Sequence, residues 1–156
     1  MIEVRLEPMT EAQYAAYRSA GEADYAQSIA DSGLLPEVEA RQKAADDFAK
    51  LLPDGLRTVG HHLWNAYDGD TAIGMLWIRI EEKSDGPHAF GFDFSVREEV
   101  RRHGYGRAII VAAEKVCREL GVVSIELNVF GPNVAARTLY EQMGFEVTAV
   151  QMRKLL

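Results

Sequence analysis

The six residues RRHGYG, Arg101 to Gly106, are the most informative segment of this chain. They lie between a strand-like run, residues 92–96, and a helix-like run, residues 107–120. Two glycines separated by one residue let several backbone N–H groups converge where a helix begins, and partial positive charge collects at that end. Arg101, Arg102 and Arg107 add forked donors that suit phosphate oxygens. The stretch therefore predicts a binding site for a phosphorylated cofactor.

The composition predicts one globular domain over residues 1–156, because 47% of the residues are apolar and 26% are charged. The net charge of −7 disfavours a nucleic-acid partner and is weakly favourable for amines. The single cysteine, Cys117, can form no internal disulfide, which is compatible with a reducing compartment. No apolar run approaches the roughly 20 residues of a membrane span. We expect a cytoplasmic protein with no membrane partner.

Apolar periodicity divides the chain into helices and strands. It predicts helices over residues 10–32 with an interruption near Gly21, over 37–52 and 107–120, and from a cap at Asn133 to Gly144. It predicts strands over residues 2–7, 62–67, 71–81, 88–96, 122–129 and 145–152. Asp-Gly pairs between the second, third and fourth strands indicate hairpins, so this part is expected to be an antiparallel meander within an α/β domain.

Two motifs, in this order and spacing, resemble those of a known family. The first is Val96-x4-Arg101-x-x-Gly104-x-Gly106, and the second is Asn133-x-x-Ala136-x-x-Leu139-Tyr140-Glu141-x-x-Gly144-Phe145. Separated by a predicted helix and strand, they are similar to the GNAT superfamily of acetyl-CoA-dependent N-acetyltransferases. The resemblance covers roughly residues 60–156 and implies the GNAT α/β fold, with a mixed, largely antiparallel central sheet of about six to seven strands flanked by about four helices.

The resemblance also implies acetyl-CoA as cosubstrate and no metal. The glycine turn would hold the pyrophosphate through its N–H groups, and the end of the preceding strand would meet the pantetheine arm. Arg102 stands where many members have glycine. The implied cofactor-binding residues are Phe94, Ser95, Val96, Arg101, Arg102, His103, Gly104, Tyr105, Gly106, Arg107, Asn133 and Tyr140.

Three side chains are candidates for catalysis. By resemblance, Tyr140 would donate its phenolic proton to the departing sulfur, the alternative being a tyrosine that only packs in the core. Asp93 is the first candidate for the base, because burial beside two phenylalanines raises the pKa of a carboxyl group. Its alternative is a salt-bridged or edge-facing carboxylate. Glu126, on the following strand, is the second candidate.

The predicted function is transfer of an acetyl group from acetyl-CoA to a primary amine, on a small molecule or a peptide, by direct reaction in a ternary complex. The alternative is a catalytically silent acyl-CoA-binding sensor or interaction module with the same fold. A dinucleotide-binding site is disfavoured, because Ile109 stands at the third glycine position of that motif. His61-His62 has no further ligands at metal-binding spacing, so no metal site is predicted. A homodimer is an expectation from the resemblance.

Overall fold

The computed structural model of the chain describes residues 2–156. Its helices are α1 (Glu11–Asp31), α2 (Glu37–Leu51), α3 (Tyr105–Glu119) and α4 (Val134–Gln142), with short 3-10 helices at Gly55–Arg57 and Glu98–Val100. Its strands are β1 (Arg5–Pro8), β2 (His61–Asp68), β3 (Thr71–Lys83), β4 (Gly86–Val96) and β5 (Ser124–Leu127). None of the helices in the described part of the chain has both the length and the apolar character needed to cross a bilayer.

The strands form one mixed sheet in the order β1-β2-β3-β4-β5. The first four pair antiparallel, whereas β5 runs parallel to β4 and follows it through the crossover helix α3. The predicted meander is therefore confirmed, and so are the four helices and the α/β class. Gly69, in the turn between β2 and β3, has a φ of +59°, a conformation that Asp-Gly turns favour.

The prediction of six to seven strands is wrong, because the sheet described in residues 2–156 has five. The missing strand is the predicted one at residues 145–152, which follows α4 as extended chain and joins no ladder. Alternation of apolar and polar residues gives this segment the propensity for a strand, but a strand also needs an edge to pair with. Within residues 2–156 this segment runs along neither edge strand of the sheet, so it pairs with none of the five strands.

Helix α1 begins with a capping box formed by Thr10 and Gln13. The Gln13 N–H donates to Thr10 Oγ1 at 3.2 Å, and the Thr10 N–H donates to Gln13 Oε1 at 2.9 Å, which together satisfy two donors at the helix start. The predicted interruption near Gly21 is wrong, because α1 runs through it. A Cβ at Gly21 would lie 3.0 Å from Cζ of Tyr17, so glycine at this position makes room for the Tyr17 ring instead of ending the helix.

The sheet separates two apolar layers. Helix α3 packs Ile109 and Ala113 against one face, which includes Ile73 and Ile78. On the other face, α1 and α2 contribute the second layer, where the Phe48 ring lies 5.3 Å from that of Trp77, centroid to centroid. Both faces of β3 are therefore buried at the centre of the molecule.

A β-bulge in β4 changes which face of the sheet the side chains near the end of this strand point to. Trp77 lies opposite Asp93 and Ile78 lies opposite Gly91, so Phe92 is an extra residue with no partner on β3. Successive side chains of a regular strand point to opposite faces, whereas a bulge lets two neighbours share one face. Phe92 stacks on Trp77 and Asp93 bonds to α1, so both lie on the α1/α2 face.

The end of β4 can pack closely against β3 because Gly74 of β3 has no side chain. A Cβ at Gly74 would lie 2.2 Å from the carbonyl oxygen of Ser95 and 2.9 Å from Cδ1 of Ile109. Because the first of these is backbone, Gly74→Ala must displace the strand, and we expect it to lower the free energy of unfolding by about 2 kcal/mol in denaturant titrations. Gly131→Ala is the control, since nothing lies within 4 Å of its Cβ position. Equal stabilities for the two variants would contradict this packing.

Candidate functional site

The turn between β4 and α3 presents free backbone donors. Gly104, the N-cap of α3, has a φ of +86°, and Arg102 also lies in the left-handed region with a φ of 66°. No side chain caps the helix, and the hydrogen bonds found within residues 2–156 leave the N–H groups of Gly104, Tyr105 and Gly106 without an acceptor. Free N–H groups at a helix N-terminus, where the helix dipole is positive, suit an anion such as a phosphate.

The side chains of this turn are directed to different neighbours. Arg101 folds back, so that its Nε donates to the carbonyl of Val96 at 3.0 Å, and the imidazole Nδ1 of His103 lies 2.8 Å from the carbonyl oxygen of Arg101. The hydroxyl of Tyr105 donates to Asp68 at 2.6 Å. Arg107 reaches Gln142 at the end of α4, 3.2 Å away. The backbone, with Arg101 and Arg102, is therefore the main source of donors for an anion here.

The last residues of β4 have one unpaired edge. Strand β5 pairs with β4 only from His88 to Gly91, so residues 92–96 have no neighbouring strand on that side. The backbone of Phe94, Ser95 and Val96 lies along this free edge, and an extended ligand arm could pair with it as a strand does. A Cβ at Gly106 would lie 3.0 Å from Cδ2 of Leu139, so the absence of a side chain lets α3 and α4 approach closely beside this edge.

Asp93 lies half-buried between α1 and the sheet, on the face selected by the bulge. The hydroxyl of Tyr17 donates to its Oδ2 at 2.6 Å, and the N–H of Phe94 donates to its Oδ1 at 2.8 Å. Burial raises the pKa of Asp93, and the negative charge of Asp24 adds to this, while the two hydrogen bonds act in the opposite direction. Burial therefore acts on the pKa of this carboxyl group in the direction that its neighbours in the sequence predict.

Tyr17 was not distinguished by the sequence as a partner of Asp93. Burial and the neighbouring carboxylate raise the pKa of Tyr17 far above its ordinary value, so the phenol is neutral and donates its proton to Asp93. The two residues are 76 positions apart, which hides the contact from periodicity. The one local signal is Gly21, one helical turn after Tyr17, where an unexplained glycine leaves room for the ring.

Helix α4 brings Tyr140 to the same place. Asn133 caps this helix as predicted, since its Oδ1 accepts from the N–H of Ala136 at 3.3 Å. The Tyr140 ring packs against Phe94 and Phe145 at centroid distances of 6.1 and 5.5 Å. Burial, with a contribution from the charge of Asp93, raises the pKa of Tyr140 to about 12. The phenol therefore keeps its proton at neutral pH.

Glu126 lies apart from this pair. It is exposed on β5, opposite Phe90, where a cavity of about 80 Å³ is also lined by Arg79, Lys83 and His88. Asp93 is three residues further along β4 than Phe90, roughly 10 Å at the rise of a β-strand. Tyr140 thus lies against Phe94 at the end of β4, next in sequence to Asp93, whereas Glu126 lies at the rim of a separate cavity.

The chain thus forms a mixed α/β domain whose crossover helix begins with free backbone N–H groups. The chain belongs to the acetyltransferase (GNAT) family, whose profile matches residues 26–145. It is 36% identical to the uncharacterized N-acetyltransferase YycN of Bacillus subtilis (strain 168), over 98% of this chain and 99% of that protein. It is 31% identical to the uncharacterized N-acetyltransferase YdgE of the same organism, over 97% of each.

The crystal structure of YycN from Bacillus subtilis superposes on this chain with a TM-score of 0.95, covering 98% of both chains. The resemblance to this family, first indicated by the two sequence motifs, is therefore confirmed.

The contact between Tyr17 and Asp93 predicts a measurable titration change. The hydrogen bond from Tyr17 favours the ionised carboxylate, so Tyr17→Phe should raise the pKa of Asp93 by about one unit, as expected for loss of a hydrogen bond to a charged group. NMR titration of the Asp93 side-chain carboxyl group measures this directly. Tyr25→Phe is the matched control, because the Tyr25 hydroxyl donates to Asp47 instead, at 3.0 Å. No change with Tyr17→Phe, or an equal change with both, would contradict the assignment.

Proposed function

We propose that this chain is an N-acetyltransferase that moves the acetyl group of acetyl-CoA to a primary amine by direct reaction in a ternary complex. The observation that carries the proposal is that Tyr140 packs on Phe94, the residue that follows Asp93 on β4, beside the helix start that presents free N–H groups. Acyl transfer to an amine needs a proton acceptor, a proton donor and a bound thioester, and these groups can supply all three.

The residues fit acetyl-CoA as a cosubstrate. The N–H groups of Gly104, Tyr105 and Gly106 suit the pyrophosphate, with Arg101 and Arg102 as flanking cations, and the free edge at residues 94–96 suits the pantetheine arm. Acetyl-CoA supplies an activated acyl carbon and a thiolate leaving group. An arm along that edge would bring its far end toward Asp93 and Tyr140.

The two side chains have complementary roles in the proposed reaction. The amine nitrogen attacks the thioester carbon and the carbon–sulfur bond breaks. Asp93 accepts the proton that the nitrogen loses, directly or through a water, and its raised pKa makes it a stronger base than an exposed aspartate. Tyr140 gives its proton to the departing sulfur. Tyr17 holds the carboxylate of Asp93 in place through its 2.6 Å hydrogen bond.

The acceptor class is a primary amine on a small molecule or a peptide. The net charge of −7 is consistent with a cationic amine, since it attracts positively charged molecules in general. The negative charge of Asp24 lies close enough to Asp93 to raise its pKa, so the proposed base has a second acidic group near it. A silent acyl-CoA sensor would need the same free N–H groups of residues 104–106, here called the cradle. It would need neither a base nor an acid, so Asp93 and Tyr140 favour the enzyme.

If the cradle binds CoA, substitutions of the two glycines that flank α3 should differ in their effect on CoA affinity. Gly104 at its start and Gly121 after its end both have left-handed backbones, with φ of +86° and +75°. Gly104→Val and Gly121→Val therefore incur a similar backbone cost, on the order of 1–2 kcal/mol. Only the first change disturbs the free N–H groups, so calorimetry should show CoA affinity at least about tenfold weaker for Gly104→Val and nearly unchanged for Gly121→Val. Equal affinities, or no binding by the parent chain, would contradict the proposed cradle.

The catalytic roles are tested by release of free thiol from acetyl-CoA in the presence of a panel of amines. We expect Tyr140→Phe to lower kcat by about 10²-fold, the usual effect of removing a general acid, with CoA affinity retained. Asp93→Asn should flatten the alkaline rise of activity with pH, because no carboxylate remains to accept the proton. Glu126→Gln is the control for Asp93→Asn and should keep the parent profile.

Three outcomes would count against the mechanism. Unchanged turnover in Tyr140→Phe removes that residue from it, and an unchanged profile in Asp93→Asn removes the base. Tight CoA binding by the parent chain with no thiol release from any amine of a broad panel would support the sensor instead of the enzyme.

A further inference from the structure

Arg79 is a cation on the same face of the sheet as Asp93. It lies on β3 two residues beyond Trp77, and Trp77 lies opposite Asp93. The guanidinium carbon of Arg79 lies 5.5 Å from the centroid of the Phe92 ring, which belongs to the same face. Two residues of a strand span roughly 7 Å, so Arg79 lies about that far along the sheet from the proposed base.

The contacts within the chain leave most donors of Arg79 unused. A guanidinium has five N–H donors. One of them, on Nη2, donates to Oε2 of Glu81 at 3.5 Å, the outer limit of a hydrogen bond, and the two side chains are 37% and 56% exposed. The Nε atom is buried and has no acceptor within residues 2–156. A buried donor without an acceptor lowers stability, so the folded chain alone gives no reason for an arginine here.

Aromatic rings fix the position of Arg79. The Phe92 ring stacks on those of Trp77 and His61, at centroid distances of 4.8 and 5.6 Å, and the indole N–H of Trp77 donates to Nδ1 of His61 at 3.0 Å. Burial, with a contribution from the charge of Arg79, lowers the pKa of His61, so this imidazole is neutral near neutral pH. Arg79 is therefore the cation of the cluster, held over an aromatic face.

The cavity of about 80 Å³ beside Arg79 has room for several water-sized groups. Its charged lining residues are the cations Arg79 and Lys83 and the carboxylates Glu81 and Glu126. Lys83 forms no ion pair within residues 2–156. Because the two carboxylates offset the two cations, the cavity suits a single negative charge better than the double charge of a phosphate. A forked guanidinium matches a carboxylate in shape as well as in charge.

We propose that Arg79 binds a carboxylate of the amine acceptor, so that the acceptor is a small amino carboxylic acid with its two groups at opposite ends. The inference rests on the proposed function for the reacting end, where the amine meets Asp93, whereas binding of the carboxylate requires no turnover. An extended chain advances about 1.3 Å per bond, so roughly 7 Å corresponds to about five bonds between nitrogen and carboxylate carbon. The compound 5-aminopentanoate has this length, and pentylamine is its counterpart without the carboxylate.

Acceptor kinetics test the proposal. The parent chain should show a KM for 5-aminopentanoate at least about tenfold below that for pentylamine, the usual effect of one hydrogen-bonded charge pair. Glycine, with two bonds, is too short to reach both groups and should gain no such advantage. Arg79→Gln should raise the KM for 5-aminopentanoate at least about tenfold with kcat nearly unchanged and leave pentylamine unaffected, and Arg79→Lys should restore part of the affinity because it keeps the charge.

Arg118→Gln is the matched control. Arg118 is an exposed arginine of α3, in the layer on the opposite face of the sheet, and it pairs with Glu114 at 3.0 Å. Its removal should leave both KM values at those of the parent chain. Circular dichroism checks that each variant is folded, and the preference of the parent chain for 5-aminopentanoate tests the proposal without any variant.

Calorimetry with 5-aminopentanoate, in the presence of CoA, separates this inference from the proposed function. Binding by the parent chain and by Arg118→Gln, at least about tenfold weaker for Arg79→Gln, supports the carboxylate site even if no amine releases thiol, an outcome that would overturn the proposed function alone. Turnover with equal KM values for 5-aminopentanoate and pentylamine, or an equal loss of both in Arg79→Gln, overturns the carboxylate site and leaves the acetyltransferase. Neither binding nor turnover overturns both.

Discussion

The bulge in β4 at Phe92 is the constraint on which the candidate site depends. Without the extra residue, strand alternation would turn Asp93 toward the α3 layer, into an apolar core. With it, Asp93 faces α1 and reaches the Tyr17 hydroxyl, while Phe94 packs in the α3 layer. The same strand then ends at the turn that starts α3. One irregularity in one strand thus relates the carboxyl group to the anion site.

The protonation states of the two central side chains follow from their surroundings. Asp93 loses solvation on burial, which raises its pKa, but two hydrogen bonds to its oxygens stabilise the charged form and limit the rise. Tyr140 loses solvation, no hydrogen bond to its hydroxyl is found within residues 2–156, and its pKa rises to about 12. The carboxyl group is therefore a stronger base than an exposed aspartate and the phenol keeps its proton at neutral pH, which is the separation that acid–base chemistry needs.

Local signals in the sequence predict much of this structure, because the interactions responsible are local. The capping box at Thr10, the cap at Asn133 and the glycine that follows α3 are contacts between near neighbours, and each helix forms where they indicate. The two motifs of the family likewise mark the turn at Gly104 and the helix of Tyr140. Periodicity and caps therefore locate the elements, and the two motifs locate the turn at Gly104 and the helix that carries Tyr140.

The contacts that complete the site join distant parts of the chain, so no local sequence pattern predicts them. The bulge depends on how β3 and β4 pair, and the hydrogen bond from Tyr17 to Asp93 spans 76 positions. The reason for a glycine at position 21 is visible only when the position of the Tyr17 ring is known. The predicted strand at residues 145–152 shows the same limit, since its sequence has strand character while pairing depends on an edge elsewhere.

A crystal structure of the chain with CoA bound would show whether the start of α3 and the end of β4 together present a thioester to Asp93 and Tyr140. We expect the pyrophosphate on the N–H groups of residues 104–106, the pantetheine arm along residues 94–96, and the sulfur within about 3.5 Å of the Tyr140 hydroxyl, on the order of a hydrogen bond to sulfur. Pyrophosphate bound elsewhere, or a sulfur remote from Tyr140 and Asp93, would contradict this expectation.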